Sequence, residues 1–438
     1  MNKIFVSLTN APASFAGKLL TLSFSAALFS FITLCGWQPA LSQTRAAFPV
    51  SQTNSTENTP VSPRLARSPQ AEFIDAAPDK RTETRRDALA ADGDIDASFN
   101  AGVSEGFGFI EETIVQPDGK IIIGGSFKGV NGAPRNFLAR LNADGSTDAT
   151  FNPGGVGPSA NVLALARQPD GKILIGGNGA LYNGAFRGFM TRLNADGTPD
   201  LTFNAGSSAN STVESIAVQA DGRILVGGFF STFNGVPRSR IARLNPDGSL
   251  DASFNPGSGF NNPVFSIVPQ PDGKILVGGA FRSYNGAAVF GIARLNLDGS
   301  LDTTFNPGGT GASSTVETIV LQPDGKILVG GFFSSFNGTP TLGIVRLNAD
   351  GTVDTAITVP GIVSGMVSAI ALQTSGKILV GGAFFDGTTV SRGTARFNAD
   401  GSLDFLFRPN ETNGDIFSIV IQPDGKILVG GSFTRIDG

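Results

Sequence analysis

The stretch QPDGKILVGG, residues 422–431, has near copies that begin at Gln116, Gln168, Gln219, Gln270, Gln322 and Gln373, so successive copies start 52, 51, 51, 52, 51 and 49 residues apart. A chain with so regular a period is made of one small supersecondary unit used again and again, and such a unit buries its apolar face only against its neighbours. Residues 213–257 read as VESIAVQ, ADG, RILVGGFF, FNG, SRIARLN, PDG and SLDASFNPG. These are four β-compatible runs, here called A to D, separated by three glycine-containing turns.

Each run has a physical reason for its composition. In Gln-Pro-Asp-Gly the proline presets φ at the first turn position and the glycine takes the left-handed conformation that suits a hairpin. Ala220 replaces the proline in one copy and Thr374-Ser375 replace Pro-Asp in another, yet Gly222 and Gly376 remain. The apolar B run suits a strand covered on both faces, and its glycine pair marks a bulge or a close backbone approach. Two residues later stands Phe127, Phe230, Phe281, Phe333, Phe384 or Phe433; the exception is Gly179, where a packing gap or an inturned neighbour is expected.

Four-stranded antiparallel sheets with an apolar face pack in a ring around an axis, so the expected fold is an all-β, seven-bladed β-propeller, with a linear solenoid of sheets as the alternative. The first D run, DIDASFN at 94–100, precedes any A run. A ring closed by N-terminal strands that join the last blade has that order. C runs stand near Leu141, Leu193, Leu244, Leu295, Leu347 and Phe397, six in all. For the seventh, either RRDALAADGD around Leu89 supplies a degenerate strand or the chain is a truncated product.

The double motif, LNADGSLDASFNPG-like and then QPDGKILVGG.F...NG, resembles the delta-60 repeat family of bacterial β-propellers over about residues 89–438. The resemblance implies a secreted or surface-associated protein with adhesion-type associations and no common biochemical activity. Residues 43–88 mix Ser, Thr, Pro and balanced charge without apolar periodicity, as in a disordered linker. Residues 1–42 carry Lys3, Lys18, the apolar run LLTLSFSAALFSFITL and small Ala40 and Ser42, the pattern of a signal peptide cut near Ser42; an uncleaved anchor is the alternative. Secretion or cell-surface display follows, with no membrane contact expected for the folded part.

Histidine is absent and Cys35 is the single cysteine, which excludes Ser-His-Asp and Cys-His nucleophiles, Cys/His zinc sites and intrachain disulfides. A net charge of -4 without a basic run argues against nucleic acid. The recurrent turn N-x-D-G-x-x-D, as Asn142, Asp144, Asp148 and Asn245, Asp247, Asp251, resembles a calcium loop, but two carboxylates are few for calcium and a hairpin braced by Asx bonds is the favoured reading. No cofactor is otherwise expected.

Glu111, Glu214 and Glu317 share one position in units 1, 3 and 5, where the other units have Leu163, Phe265, Ser368 and Phe417. If A is the innermost strand, these glutamates approach the channel mouth as a candidate cation or sugar site; scattered rim carboxylates are the commoner arrangement. Tyr182, Phe233, Tyr284 and Phe336 resemble a sugar-stacking ladder, but Val130 and Ile436 at the same place point to core packing. The unrepeated Asp386, Glu411 and Asp415 form no catalytic motif. The expected role is a non-catalytic binding, adhesion or scaffolding module for an extracellular protein or envelope glycan, with a carbohydrate-active hydrolase or lyase working through carboxylates as the alternative.

Overall fold

The computed structural model describes residues 3–8, 99 and 101–437, apart from 180, 205, 342, 356–363, 386–389, 405, 408–410 and 435. The described residues form strands and turns, with no α-helix among them. The expected leader and linker lie outside the described residues except for Lys3–Leu8, and so does the segment around Leu89. The QPDG-type turns form as expected, including the two altered copies, where Gly222 and Gly376 sit at φ of 83° and 81°.

Units 2 to 5 are three-stranded antiparallel sheets in the order A-B-C, and units 1 and 6 hold the same three strands within larger sheets; in unit 3 these are Val213–Val218, Ile224–Gly228 and Ile241–Leu244. The expected fourth strand is corrected to a single bridge, Leu244 with Leu250, followed by a turn. The reason is a competition for backbone donors. The Asp251 N–H still bonds the Arg243 carbonyl, but the Ser253 N–H goes to Asp251 Oδ1 and the Phe254 N–H to the Asp251 carbonyl, so the ladder stops there. Instead, most units add a two-residue ribbon such as Thr232–Phe233 with Val236–Pro237, closed by an Asn-Gly turn with both residues at positive φ.

The glycine pair does both things expected of it. A Cβ on the second glycine, Gly228, meets the Thr212 carbonyl at 2.2 Å, beside a bulge in strand A. A Cβ on the first, Gly227, meets Val264 Cγ1 at 2.6 Å and Ile267 Cδ1 at 2.8 Å, both on strand A of the next unit. The same close approach recurs from Gly124 to Val162, Gly176 to Val213, Gly278 to Val316, Gly330 to Val367 and Gly381 to Ile416. It recurs again from Gly430, in the last unit, to Ile110 in the first.

Each core cluster therefore spans two units. Leu225 of unit 3 shares a core with Phe254, Val264, Ile275 and Phe281, and Phe99 and Leu428 share one with Ile110 and Ile121. In unit 7, Ile416–Ile421 pairs with Ile427–Gly431, and Lys3–Leu8 runs parallel along Ile427 to Val429, where other units have strand C. The gap expected at Gly179 is a cavity of about 20 Å³ lined by Pro158, Tyr182 and Met190, room for one water.

At the turn end of each of units 1 to 6 a buried aspartate ties three segments together. Asp148 Oδ2 accepts from Lys120 Nζ and Arg140 Nε, both at 2.8 Å, while its Oδ1 accepts from the Thr150 N–H and hydroxyl. The Arg140 guanidinium lies 4.7 Å over the Phe151 ring. Its Nη1 donates to the Ala195 carbonyl of the next unit, as Arg192 does to Pro246 and Arg294 to Ala349.

Gly227→Ala pushes a methyl into Val264 and Ile267, and we expect a loss of about 2 kcal/mol of stability for this overpacking, read as a lower urea midpoint. An unchanged midpoint would show that the joint between units has slack.

Candidate functional site

Strand A carries a register break at the same place in every unit: between Ile110 and Glu112 in unit 1, Val213 and Ser215 in unit 3, and Val316 and Thr318 in unit 5. The residue inside the break is Glu111, Glu214 or Glu317, and Leu163, Phe265, Ser368 or Phe417 in the remaining units. A bulge re-aims the side chain it contains. The A strands contact one another from unit to unit, so these seven residues stand on one inner row.

Glu214 senses the other two glutamates. Burial pushes Glu111 and Glu317 up to about 7, while burial and the charges of Glu111 and Glu317 push Glu214 up to about 8. Glu112, also raised to about 7 by burial and by the neighbouring Glu111 charge, joins the group. Sequence reasoning missed it, although a signal exists: other units have Ser, Thr or Ala there. Phe265 meets Phe229 edge-on at 5.9 Å and Phe417 meets Phe109 at 6.3 Å, so apolar contacts flank the acidic positions. At neutral pH such a group holds both protonated and ionised carboxyls, which is chemistry for a polyhydroxy ligand or proton transfer.

The recurrent turn aspartates are engaged elsewhere. Asp144 Oδ1 accepts from the Ser146 N–H and hydroxyl, and the Asn142 side chain donates to Ser146. Asp247 repeats this with Ser249, and Asp251 is held by Arg243 and Arg223. Burial alone would raise the Asp148 carboxyl; bonds from Lys120, Thr150 and Arg140 outweigh it and hold the group well below the usual carboxylate range. Among the described residues no three acidic or metal-ligating side chains are grouped for a metal ion.

Tyr182, Phe233, Tyr284 and Phe336 are buried, and the Tyr182 hydroxyl donates to the Gly197 carbonyl at 2.8 Å, so the ladder is core. Asp386 lies outside the described residues, Glu411 begins the short strand Glu411–Thr412, and the Asp415 N–H donates to Ser432 Oγ.

Comparison with known families decides the architecture. The family described as "Domain of unknown function (DUF5122) beta-propeller" matches residues 116–151, 168–203, 219–254, 270–305, 322–356, 373–407 and 422–438. The chain belongs to this β-propeller repeat family. The propeller is similar, at 14% identity and a TM-score of 0.49, to the extracellular domain of the hybrid two component system BT4673 from B. thetaiotaomicron, over 74% of this chain and 39% of that one. It is also similar to YCF48 bound to D1 peptide, at 11% identity and a TM-score of 0.43 over 79% of this chain and 98% of that one. The C-terminal WD40 domain of Sif2 matches at 13% identity and a TM-score of 0.40, over 77% and 97% of the two chains. Comparison with curated proteins gives no match.

Two expectations follow. Carboxyls raised in the fold bind protons more tightly than in the unfolded chain, so their penalty on stability grows as pH rises from about 4.5 to about 8 and is absent below that window. The triple variant Glu111→Gln, Glu214→Gln, Glu317→Gln should gain on the order of 2 kcal/mol at pH 8 and nothing at pH 4, read by thermal melts across pH. Chelation of divalent ions should leave the melting temperature unmoved, because the turn aspartates already have their partners; a marked drop would reinstate calcium.

Proposed function

We propose that the chain is a closed, seven-bladed propeller, exported by its N-terminal segment, that serves as a non-catalytic binding and scaffolding module for an extracellular protein or envelope glycan. Closure is supported by the approach of Gly430 to Ile110 and the core that Phe99 shares with Leu428, both in the pattern found between successive units. In the mature chain, cut near Ser42, the segment around Leu89 takes the edge of Ile427–Gly431 along which Lys3–Leu8 runs. The observation that carries the binding role is the repetition of the chemistry itself. Asp148, Asp200, Asp251, Asp302, Asp354 and Asp404 are each engaged with an arginine and a further basic group in their own unit, which is structural work that leaves the variable loops to meet a ligand.

One observation favours a second reading. Glutamates that titrate near neutrality in one row, with Glu214 sensing the other two, suit a hydrolase or lyase acting on a polysaccharide. Glu214 is then the acid or base, since its carboxyl is raised furthest.

Both readings meet one experiment. The full chain is incubated with oligosaccharides and with an envelope fraction, with and without calcium, and scored for retention and for cleavage. Retention without cleavage is expected; cleavage abolished by Glu214→Gln would replace the binding role with the enzymatic one. Removal of residues 1–42 should leave the melting temperature within a few degrees of the full chain, whereas removal of residues 1–100 should lower it by roughly 5 °C or more. Equal melting of both truncations would refute closure through the segment around Leu89 and Phe99.

A further inference from the structure

The two ends of each unit are chemically unlike. At the turn end, described arginines of strand C and the basic residue after each QPDG turn are held by aspartates. At the ribbon end of units 1 and 2 stand three cations, Lys128, Arg135 and Arg187, none of them in a described ion pair, and one acidic residue, Glu105, opposite Lys128 in the strand register. Arg135 Nη1 reaches only the carbonyl of Pro134, and Arg187 Nε is buried without a partner. In a chain of net charge -4, three cations against one acidic residue leave this end basic.

Between these two ribbons runs a groove of about 410 Å³, lined by Lys128, Phe137, Val156, Pro158 and Leu181 among others. Arg135 lines the adjoining hollow beside Val156, and Arg187 lines the cavity beneath Leu181. Val156 is 62% exposed and Leu181 41%, and Phe186, directly paired with Leu181 in the ribbon, is 63% exposed. The corresponding residues elsewhere are small or polar: Thr310 for Val156; Thr232, Ser283 and Ser335 for Leu181; Pro237, Ala288 and Pro340 for Phe186. The exposed apolar side chains of Val156, Leu181 and Phe186 are therefore not a requirement of the repeat.

The polar side chains of the lining are already occupied. Asn136 donates to the Val156 carbonyl at 2.9 Å, and Ser159 Oγ accepts from the Leu181 N–H. A sugar needs several free polar partners, and the groove offers Lys128 beside apolar walls. Its concave form, walled by two units, suits a single inserted side chain rather than a bilayer.

We propose that this groove is the docking site for an acidic peptide segment of a partner protein, with one bulky apolar side chain seated against Val156 and Leu181 and flanking carboxylates paired with Lys128, Arg135 and Arg187. It rests on the binding role above and names its ligand class. The arginine forks suit carboxylates, and the low-dielectric wall strengthens the pairing.

The test is fluorescence anisotropy with the full chain and a labelled Glu-Asp-Leu-Phe-Asp-Glu peptide. Saturable binding is expected, weakened roughly tenfold or more by Lys128→Glu with Arg135→Glu, and likewise by raising salt from about 0.05 to 0.5 M. Val156→Thr with Leu181→Ser and Phe186→Ala, each a residue that another unit carries, should weaken it without altering the melting temperature. A Lys-Lys-Leu-Phe-Lys-Lys peptide should not bind. Peptide binding indifferent to both variants would overturn the proposal, as would preferential binding of oligogalacturonate or of phosphatidylglycerol vesicles. Retention of an envelope protein or glycan that survives the groove variants would sink this site and leave the binding role standing.

Discussion

The contact on which the rest depends is the approach of one bare glycine to the first strand of the next unit. Where Gly227 faces Val264 and Ile267, a methyl group is already too large, so the two sheets lie nearer than any side chain between them would allow. That closeness lets Leu225, Phe254 and Phe281 share one core with the neighbouring Val264 and Ile275. Burial of apolar surface across such joints supplies the main drive to fold, since a single three-stranded sheet leaves its face wet. The same approach fixes strand A, and with it the bulge that turns Glu214 inward.

At the opposite end of the strand the constraint is electrostatic. Asp251 and its counterparts are surrounded by an arginine, a second basic residue and local N–H donors, so the buried charge is fully satisfied. An arginine that is almost wholly buried would be costly alone. Here Arg243 covers the Phe254 ring, holds Asp251 and reaches Leu297 in the next unit, which makes it a rivet through three layers. With the turn end fixed in this way, variation between units collects in the ribbons and in the loops that lead into strand A, where Val156, Leu181 and Phe186 depart from the repeat.

The repeat made most of the architecture legible. QPDG turns, B strands, six C strands and, among the described side chains, the inward phenylalanines Phe127, Phe230, Phe281, Phe333 and Phe433 follow from local chemistry and appear where the pattern puts them. The D run misled because SLDASFN alternates like a strand, while the side chain of Asp251 competes for the backbone donors in a way that alternation does not reveal. The arginine in ARLN carries no local signal of its role: its burial depends on an aspartate eight residues on and a carbonyl about 54 residues on, which no local window contains. The glutamates were picked out by position, yet the influence of Glu111 and Glu317 on Glu214 depends on a bulge whose register only the sheet defines. Glu112 was overlooked because attention went to what units share, and its meaning lies in how one unit departs.

The rivet has an evolutionary consequence. Because Arg140, Arg192 and Arg294 each grip a main-chain oxygen of the following unit, recognition between neighbours needs no particular side chain on the receiving partner: Ala195, Pro246 and Ala349 serve alike. A copied period arrives already compatible with whatever stands on either side. Copies are thereby free to drift in their receiving turns without losing their place in the array, and a lineage can diversify one junction while its siblings keep the assembly intact.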